Sequence, residues 1–523
     1  MEKRKRILHP IVFSIYPIIF LFARNIEEVK LQELVLPLSL SIIFTIVIWK
    51  SLSKLLRSNE KAALLTSLFL IYFFSFGHFY SLINNMPSNI LDIDTKLDIN
   101  VYDFILPWSM FFLLVGIFIK RTQVNFISFS SYLNYFSLLL LIFPIISILV
   151  YCLAHLGNLN VNLTLRSEMK IKKQLPDIYY IIPDSYAGYR TLKKVYGYDN
   201  SDFLNYLSKK GFYVAGKSRA NYLRTLHSVA SSLNLNYISD LCKKVDSNSS
   251  SESEIYELIR RSYLVRYLKS QGYKYIFSSG ESWGSDLVDK YIYLDDNQIN
   301  FDFLLILGNS TLLRPLIRNS LSVNYEKHVW MEIISQFKQM DYLIKNRPFK
   351  EPMFVFIHLL IPHGPYVFDQ NGNFVPGERN QHLVGKEKFP LYVNEVIYVN
   401  KRLRSLIDKI LTNNKINKPI IIFQSDEGPF KTDEMNLDGE KTDWTKVSEA
   451  AILRHVKILN AYYLPGFDQK KLYQSITPVN SFRLIFNHYF GQNLPALPDK
   501  SYFIPDIDHQ YKYTDITEKV KKK

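Results

Sequence analysis

DIYYIIPD, residues 177–184, is a short apolar run that ends in an acid. It reads as a buried strand feeding a loop. KPIIIFQSDEG (418–428) repeats the pattern and ends in two acids. YKYIFSSG (273–280), MFVFIHLL (353–360) and ILNAYYLPG (458–466) are also strand-like. Between them lie segments with helical spacing: SDFLNYLSKKG (201–211), SESEIYELIRRSYLVRYLKSQG (251–272), YVNEVIYVNKRLRSLIDKIL (392–411) and SFRLIFNHYFG (481–491). The second opens on a Ser-x-x-Glu like a capping box and, like the first and last, stops at Gly. Strands alternating with helices predict an α/β domain with a mainly parallel sheet and helices on both faces. Sites in such sheets form outside the carboxyl ends of the strands. Asp184, His363, Asp426 and Glu427 fall there.

Working back toward the N-terminus, the character changes. The mean hydropathy of −0.03 hides an uneven distribution. Five apolar runs, at about 8–24, 33–50, 62–84, 102–119 and 131–155, approach the ~20 residues needed to span a bilayer. MEKRKR before the first resembles a signal-peptide start, but no small-residue cleavage site follows, so it reads as an uncleaved span. Lys3, Arg4, Lys5 and Arg6, then Lys50, Lys54, Arg57 and Lys61, then Lys120 and Arg121 occupy alternate ends and loops. Glu27, Glu28, Glu33, Asp92, Asp94 and Asp98 occupy the others. The positive-inside rule then puts the N-terminus in the cytoplasm. An odd number of spans puts everything after residue 156 outside it. The expected organisation is a transmembrane region over 1–156, a polar linker over 157–175, a catalytic domain over 176–500 and a tail over 501–523 ending in KVKKK. SNSSSESE (247–254) reads as a surface loop.

The formal net charge is +15. The basic residues sit in short loops or are scattered, without an arginine-rich arm, so the sequence excludes a nucleic-acid partner and favours anionic lipid head groups. The two cysteines, Cys152 and Cys242, lie in different environments and have no metal-site spacing.

Three acids at matching strand ends, Asp184, Asp426 and Glu427, could meet at one hard divalent cation, although each alone suits a helix or turn cap. Thr225 in ANYLRTLHSVASSLN (220–234) falls at a helix start. A hydroxyl there is commonly an N-cap, yet a helix start also stabilises negative charge, and a metal can activate a hydroxyl. His358 and His363 lie in FIHLLIPHGPY. His358 suits a core histidine, whereas His363, between two prolines, is better placed to meet a ligand. His455 in RHVKILNAYYLPG reads as structural or surface.

Together these segments resemble the alkaline phosphatase and sulfatase superfamily over residues 176–500, and within it the membrane-anchored lipoteichoic acid synthase-like and phosphoethanolamine transferase-like branches. PDIYYIIPDSYA resembles the strand that delivers a metal-binding acid, here Asp184. IIFQSDEGP resembles the Ser-Asp-His-Gly metal segment, giving Asp426 and Glu427. HLLIPHGPY resembles the substrate segment, giving His363, with His358 beside it. TLHSVASSLN aligns with the sulfatase signature Cys-x-Pro-Ser-Arg and puts Thr225 at the nucleophile, as in lipoteichoic acid synthases, which also carry five spans before an outward-facing domain. SITPVNSFRLIFNHYFG (475–491) and LPDKSYF extend the likeness to sulfatase-like membrane proteins.

The departures are Thr225, which cannot give the formylglycine of true sulfatases, Val229 at the signature's Arg position, and Glu427 in place of His. The resemblance implies one divalent cation, Mn or Mg before Zn, held by Asp184, Thr225, Asp426 and Glu427. It implies His358 and His363 as substrate-binding groups and Thr225 and His363 as catalytic ones. It implies transfer of a phospho-alcohol group from a membrane phospholipid donor to an extracytoplasmic glycan or lipid acceptor. The alternatives are a hydrolase of soluble esters and a non-catalytic glycan-binding scaffold.

Overall fold

A computed structural model describes the chain apart from residues 1–5, 27–28, 30, 85–100, 125, 160–174, 280–282, 284–286, 292–300, 377–384, 415–416, 430–442 and 522–523. The expected linker, 157–175, and the acids Glu27, Glu28, Asp92, Asp94 and Asp98 therefore lie largely outside the described residues. The chain divides into two units. The first holds Met1–Glu168 and Gln298–Tyr325, and the second holds Met169–Asn297 and Glu326–Lys523.

The first unit contains helices α1 (His9–Arg24), α2 (Val35–Leu56), α3 (Asn59–Asn84), α4 (Val101–Arg121) and α5 (Ile127–Leu159). Four of them, α2 to α5, are long and apolar enough to cross a membrane, which makes this a membrane protein. The 16 residues of α1 fall short of that length, spanning about 24 Å at 1.5 Å per residue. The first of the five expected spans, 8–24, is thus an apolar helix shorter than the hydrocarbon thickness. Large apolar side chains such as Leu113, Phe118, Leu139 and Phe143 point outward from α4 and α5. In a soluble protein this would be an aggregation surface; against lipid it is the expected face.

The second unit is built on a seven-stranded sheet in the order β2-β7-β6-β1-β5-β3-β4. The strands are β1 (Ile178–Pro183), β2 (Tyr213–Val214), β3 (Lys274–Ser279), β4 (Lys290–Tyr291), β5 (Met353–Leu359), β6 (Ile420–Gln424) and β7 (Asn460–Tyr463). β1 runs parallel to both β5 and β6, and β3 is parallel to β5 and β4. β7 is antiparallel to β6 and to β2, so the sheet is mixed but mainly parallel. The central strands are buried throughout, which is why they read as unbroken apolar runs rather than alternating ones. Ile178, Tyr180 and Ile182 of β1, Phe354 and Phe356 of β5, and Ile420 and Ile422 of β6 share one core with the helices Thr225–Asn234 and Pro478–Tyr489.

Two local expectations change. Residues 251–272 form two helices, Ser253–Arg260 and Tyr263–Ser270, because Ser262 takes an extended conformation. The break lets Ile255 and Ile259 of the first and Leu264, Val265 and Leu268 of the second reach the same core. The capping box does not form: Glu252 is the N-cap residue without a side-chain cap, and it pairs instead with Arg224 at 3.1 Å. The C-terminal residues expected as a tail are folded against the second unit. Ser501 donates to the Ala220 carbonyl, and Ile516 and Val520 are buried. Val520 is the inward residue of KVKKK, in the helix Thr517–Lys521.

Candidate active site

Register sets the first part of the site. Ile182 of β1 lies opposite His358 of β5, and the Asp184 N–H, one residue past the strand, donates to the Leu359 carbonyl at 2.9 Å. β6 flanks β1 on its other side and ends at Gln424, two residues before Asp426. The three carboxyl ends therefore deliver Asp184, His358 and Asp426 to one place. Their donor atoms all lie within 4.8 Å of one another, and all three residues are buried. His358 Nε2 is 3.8 Å from Asp184 Oδ2 and 3.7 Å from Asp426 Oδ2. Those separations exceed hydrogen-bond length. They approach the ~3.4 Å between donors of a tetrahedral ion with bonds of about 2.1 Å. Among the described residues, neither ring nitrogen of His358 has a partner within hydrogen-bond length. Two buried carboxylates facing one imidazole fit a divalent cation. The indole of Trp283 packs against the His358 ring, with centroids 4.7 Å apart, and limits its movement.

The backbone around this point is specialised. Ser185 sits in the left-handed region at φ 59°, an arrangement that costs free energy and turns the chain sharply after Asp184. Its N–H donates to Asp426 Oδ1 at 3.3 Å. The Tyr186 N–H donates to Ser425 Oγ at 2.8 Å, and Ser425 Oγ donates to the Glu427 carbonyl at 2.7 Å. The loop after β1 and the loop after β6 thus hold each other. Burial alone would raise the Asp426 carboxyl, but His358, then the Thr225 hydroxyl and the Glu427 N–H, hold it below the ordinary value.

Thr225 is the first residue of the helix Thr225–Asn234, after Arg224 in an extended conformation. It is half-buried, and its hydroxyl lies close enough to Asp426 to stabilise that carboxylate. Arg224 is fixed by Gln510 at 2.9 Å and Glu252 at 3.1 Å, and Gln510 also donates to Glu252 at 2.8 Å. This clamp fixes the chain entering the helix.

Glu427 turns toward His455, a residue that reads as structural or surface in the sequence. His455 Nε2 lies 3.5 Å from Glu427 Oε2, and both are buried. The Trp444 ring stacks on His455 with centroids 5.0 Å apart. Burial pushes the Glu427 carboxyl up, and Glu427 holds His455 above its ordinary value against burial. Gly428 makes the approach possible: a Cβ there would stand 2.6 Å from the Arg454 carbonyl and 2.8 Å from that of His455. His363 is half-buried on the loop after β5, with Nδ1 2.5 Å from the Gly364 carbonyl. The structure therefore gathers Asp184, Asp426 and His358, sets Thr225 beside Asp426, and gives Glu427 to His455. Nothing in the local sequence around His455 signals that pairing.

A family model described as Sulfatase matches residues 196–476. No curated protein matches the chain. Among solved structures, the chain is similar to the C-terminal periplasmic domain of EcEptC from Escherichia coli in complex with Zn, at 12% identity and a TM-score of 0.43, covering 66% of this chain and 94% of that one. It is similar to the putative sulfatase yidJ from Bacteroides fragilis, at 15% identity and a TM-score of 0.39, covering 65% and 84%. It is also similar to the integral membrane lipooligosaccharide phosphoethanolamine transferase A from Neisseria meningitidis, at 12% identity and a TM-score of 0.37, covering 90% and 94%.

Proposed function

Because the chain belongs to the sulfatase family, we propose that it is a membrane-anchored, metal-dependent enzyme that moves a phospho-alcohol group, phosphoglycerol or phosphoethanolamine in type, from a phospholipid to an extracytoplasmic glycan or lipid. The supporting observation is the Thr225 hydroxyl at a helix N-terminus beside Asp426, itself grouped with Asp184 and His358. In this reading Asp184, His358 and Asp426 hold the cation. Thr225 completes the set, and Glu427 stands behind Asp426, engaged by His455. A bound divalent cation would supply Lewis-acid stabilisation of the phosphoryl charge and a lowered hydroxyl pKa.

The residues then have these parts. Thr225 Oγ1 bonds to phosphorus as the bond from phosphorus to the lipid alcohol breaks, and the hydroxyl proton ends on the departing alcohol. The acceptor hydroxyl displaces Thr225 in the second step and returns a proton to it. The N–H groups at the start of the helix Thr225–Asn234 point their positive end at the phosphoryl oxygens. His363, on the partly exposed loop, contacts those oxygens from the open side. In this reading the shorter α1 crosses the bilayer together with α2 to α5, so that the N-terminus is cytoplasmic and the second unit lies outside the cytoplasm, where a membrane anchor raises the effective concentration of lipid donor.

Purified protein given head-group-labelled phosphatidylglycerol or phosphatidylethanolamine tests this. Label should pass to an acceptor in a cation-dependent manner and should fail to do so with Thr225→Ala. Release of label to water alone would favour a hydrolase of esters. Undiminished transfer by Thr225→Ala would remove the nucleophile assignment, and no turnover of any lipid would favour a binding scaffold.

A further inference from the structure

The segment Gln298–Tyr325 falls between strands β4 and β5 in sequence, yet it clusters with the first unit. It carries a helix, Phe301–Asn309, and the start of a longer one, Arg314–Asn346. Phe303 is buried among Ile18 and Phe22 of α1 with Val29 and Leu34, and Ile148 of α5 packs on the same cluster. Leu312 packs on Phe76 and Tyr80 of α3 and Phe104 of α4. The docking also involves main chain. The Gly77 N–H donates to the Ser310 carbonyl at 3.0 Å, and the Leu312 N–H donates to the Phe73 carbonyl at 2.9 Å. Gly77 permits this: a Cβ there would collide with the Asn309 carbonyl and stand 2.7 Å from Ser310 Cα.

The residues contacted are the end of α1, the end of α3, the start of α4 and the later part of α5. They share one end of the bundle. The opposite end is identified by contacts of its own: Asn134 bonds to Leu8 at 2.8 Å, and Lys61 Nζ donates to the Thr122 carbonyl at 2.6 Å. Lys50, Lys54, Arg57, Lys120 and Arg121 belong to that opposite end.

We propose that residues 301–316 form a re-entrant wedge seated in the lipid leaflet at the end of the bundle away from these basic residues, with Ile306, Leu313 and Leu316 against its acyl chains. These three side chains are 50%, 44% and 66% exposed, and on α2, whose Leu38 packs on the Phe303 cluster, Leu36 and Leu40 are exposed as well. The nine-residue helix spans about 13 Å, too short to cross the hydrocarbon. Irregular backbone at membrane depth is tolerated where its polar groups are satisfied within the protein. The turn between the two helices meets that condition. Ser310 Oγ donates to the Leu307 carbonyl at 2.6 Å, Thr311 Oγ1 to the Gly308 carbonyl at 2.8 Å, and the Leu313 N–H to Thr311 Oγ1 at 3.1 Å. Arg314 closes the turn onto α3: it donates to Ser81 Oγ at 2.9 Å, with its guanidinium 4.8 Å over the Tyr80 ring. This inference is independent of the proposed chemistry.

The test uses the full chain with Cys152→Ser and Cys242→Ala, reconstituted into phosphatidylcholine–phosphatidylglycerol nanodiscs. A nitroxide is placed at Ile306→Cys and, separately, at Leu313→Cys. Leu114→Cys serves as lipid reference and Lys217→Cys as water reference. Collisions with oxygen should exceed those with a water-soluble nickel chelate at both wedge positions, as at 114. A ratio on the water side at both, as at 217, overturns the wedge.

Discussion

His358 Nε2, on β5, stands 3.7 Å from Oδ2 of Asp426, two residues past β6, and these two strands flank β1 from opposite sides. An imidazole with no hydrogen-bond partner among the described residues, facing two buried carboxylates, is costly unless a cation sits between them. His358→Ala should therefore weaken binding of the divalent cation by roughly 100-fold or more, whereas Glu427→Gln should weaken it less than about 10-fold. Titration of metal-stripped protein with Zn and Mn by calorimetry measures both. The reverse ranking would return the ligand role to Glu427.

Thr225→Ala should lower transfer at least about a thousandfold, while Thr225→Ser retains measurable turnover because a hydroxyl remains at the helix start. The folded state should be little affected, since Thr225 is half-buried and the N-cap position of its helix is held by Arg224. The comparison needs initial rates on labelled lipid together with thermal unfolding of each variant. Equal activity of the Ala and Ser variants would argue against a nucleophile at 225.

Breaking the Glu427–His455 pair from one side should be worse than removing it. His455→Phe keeps an aromatic ring against Trp444 but leaves a buried carboxyl without its partner, at a cost of about 3–5 kcal/mol. Adding Glu427→Gln should recover at least ~1 kcal/mol of that. Unfolding midpoints of the two single variants and the double variant give the coupling. Strict additivity would show that the two side chains do not depend on each other.

Lys457 supplies a pH signature. Burial first, then Arg219 and Arg190, push its ammonium down to about 8 from the ordinary 10.5, while Nζ donates to the Val520 carbonyl at 2.9 Å. Between these values the folded chain holds fewer protons than the unfolded one, so this group's contribution to stability rises with pH through that window. Below pH 8 its penalty is present in full. Against Lys457→Met, the wild type should gain about 1–2 kcal/mol from pH 7.5 to 10.5, a figure discounted for the solvent that still reaches the side chain. Unfolding of both proteins across that range measures the difference, and a constant gap would refute it.

Much of the fold was legible because it is encoded locally. The apolar runs of α2 to α5 need no partner to be recognised, since their length and composition alone match a bilayer. DIYYIIPD and KPIIIFQSDEG announced buried parallel strands with acids at their exits, and Asp184 and Asp426 do meet there. The break at Ser262 and the burial of Val520 were not legible, because each answers to a core assembled from distant segments. The helices between residues 301 and 346 lack the strand–acid pattern and carry no comparable local signal.

The sequence by itself determined that this is a membrane protein with an α/β domain whose acids lie at strand ends, because periodicity and run length are properties of contiguous residues. Only the tertiary structure decided which groups share a site. The register of β1 against β5 brings His358 to Asp184 and Asp426, and the absence of a Cβ at Gly428 brings His455 to Glu427. Proximity between residues so far apart along the chain is fixed by strand order and packing, which no local pattern records.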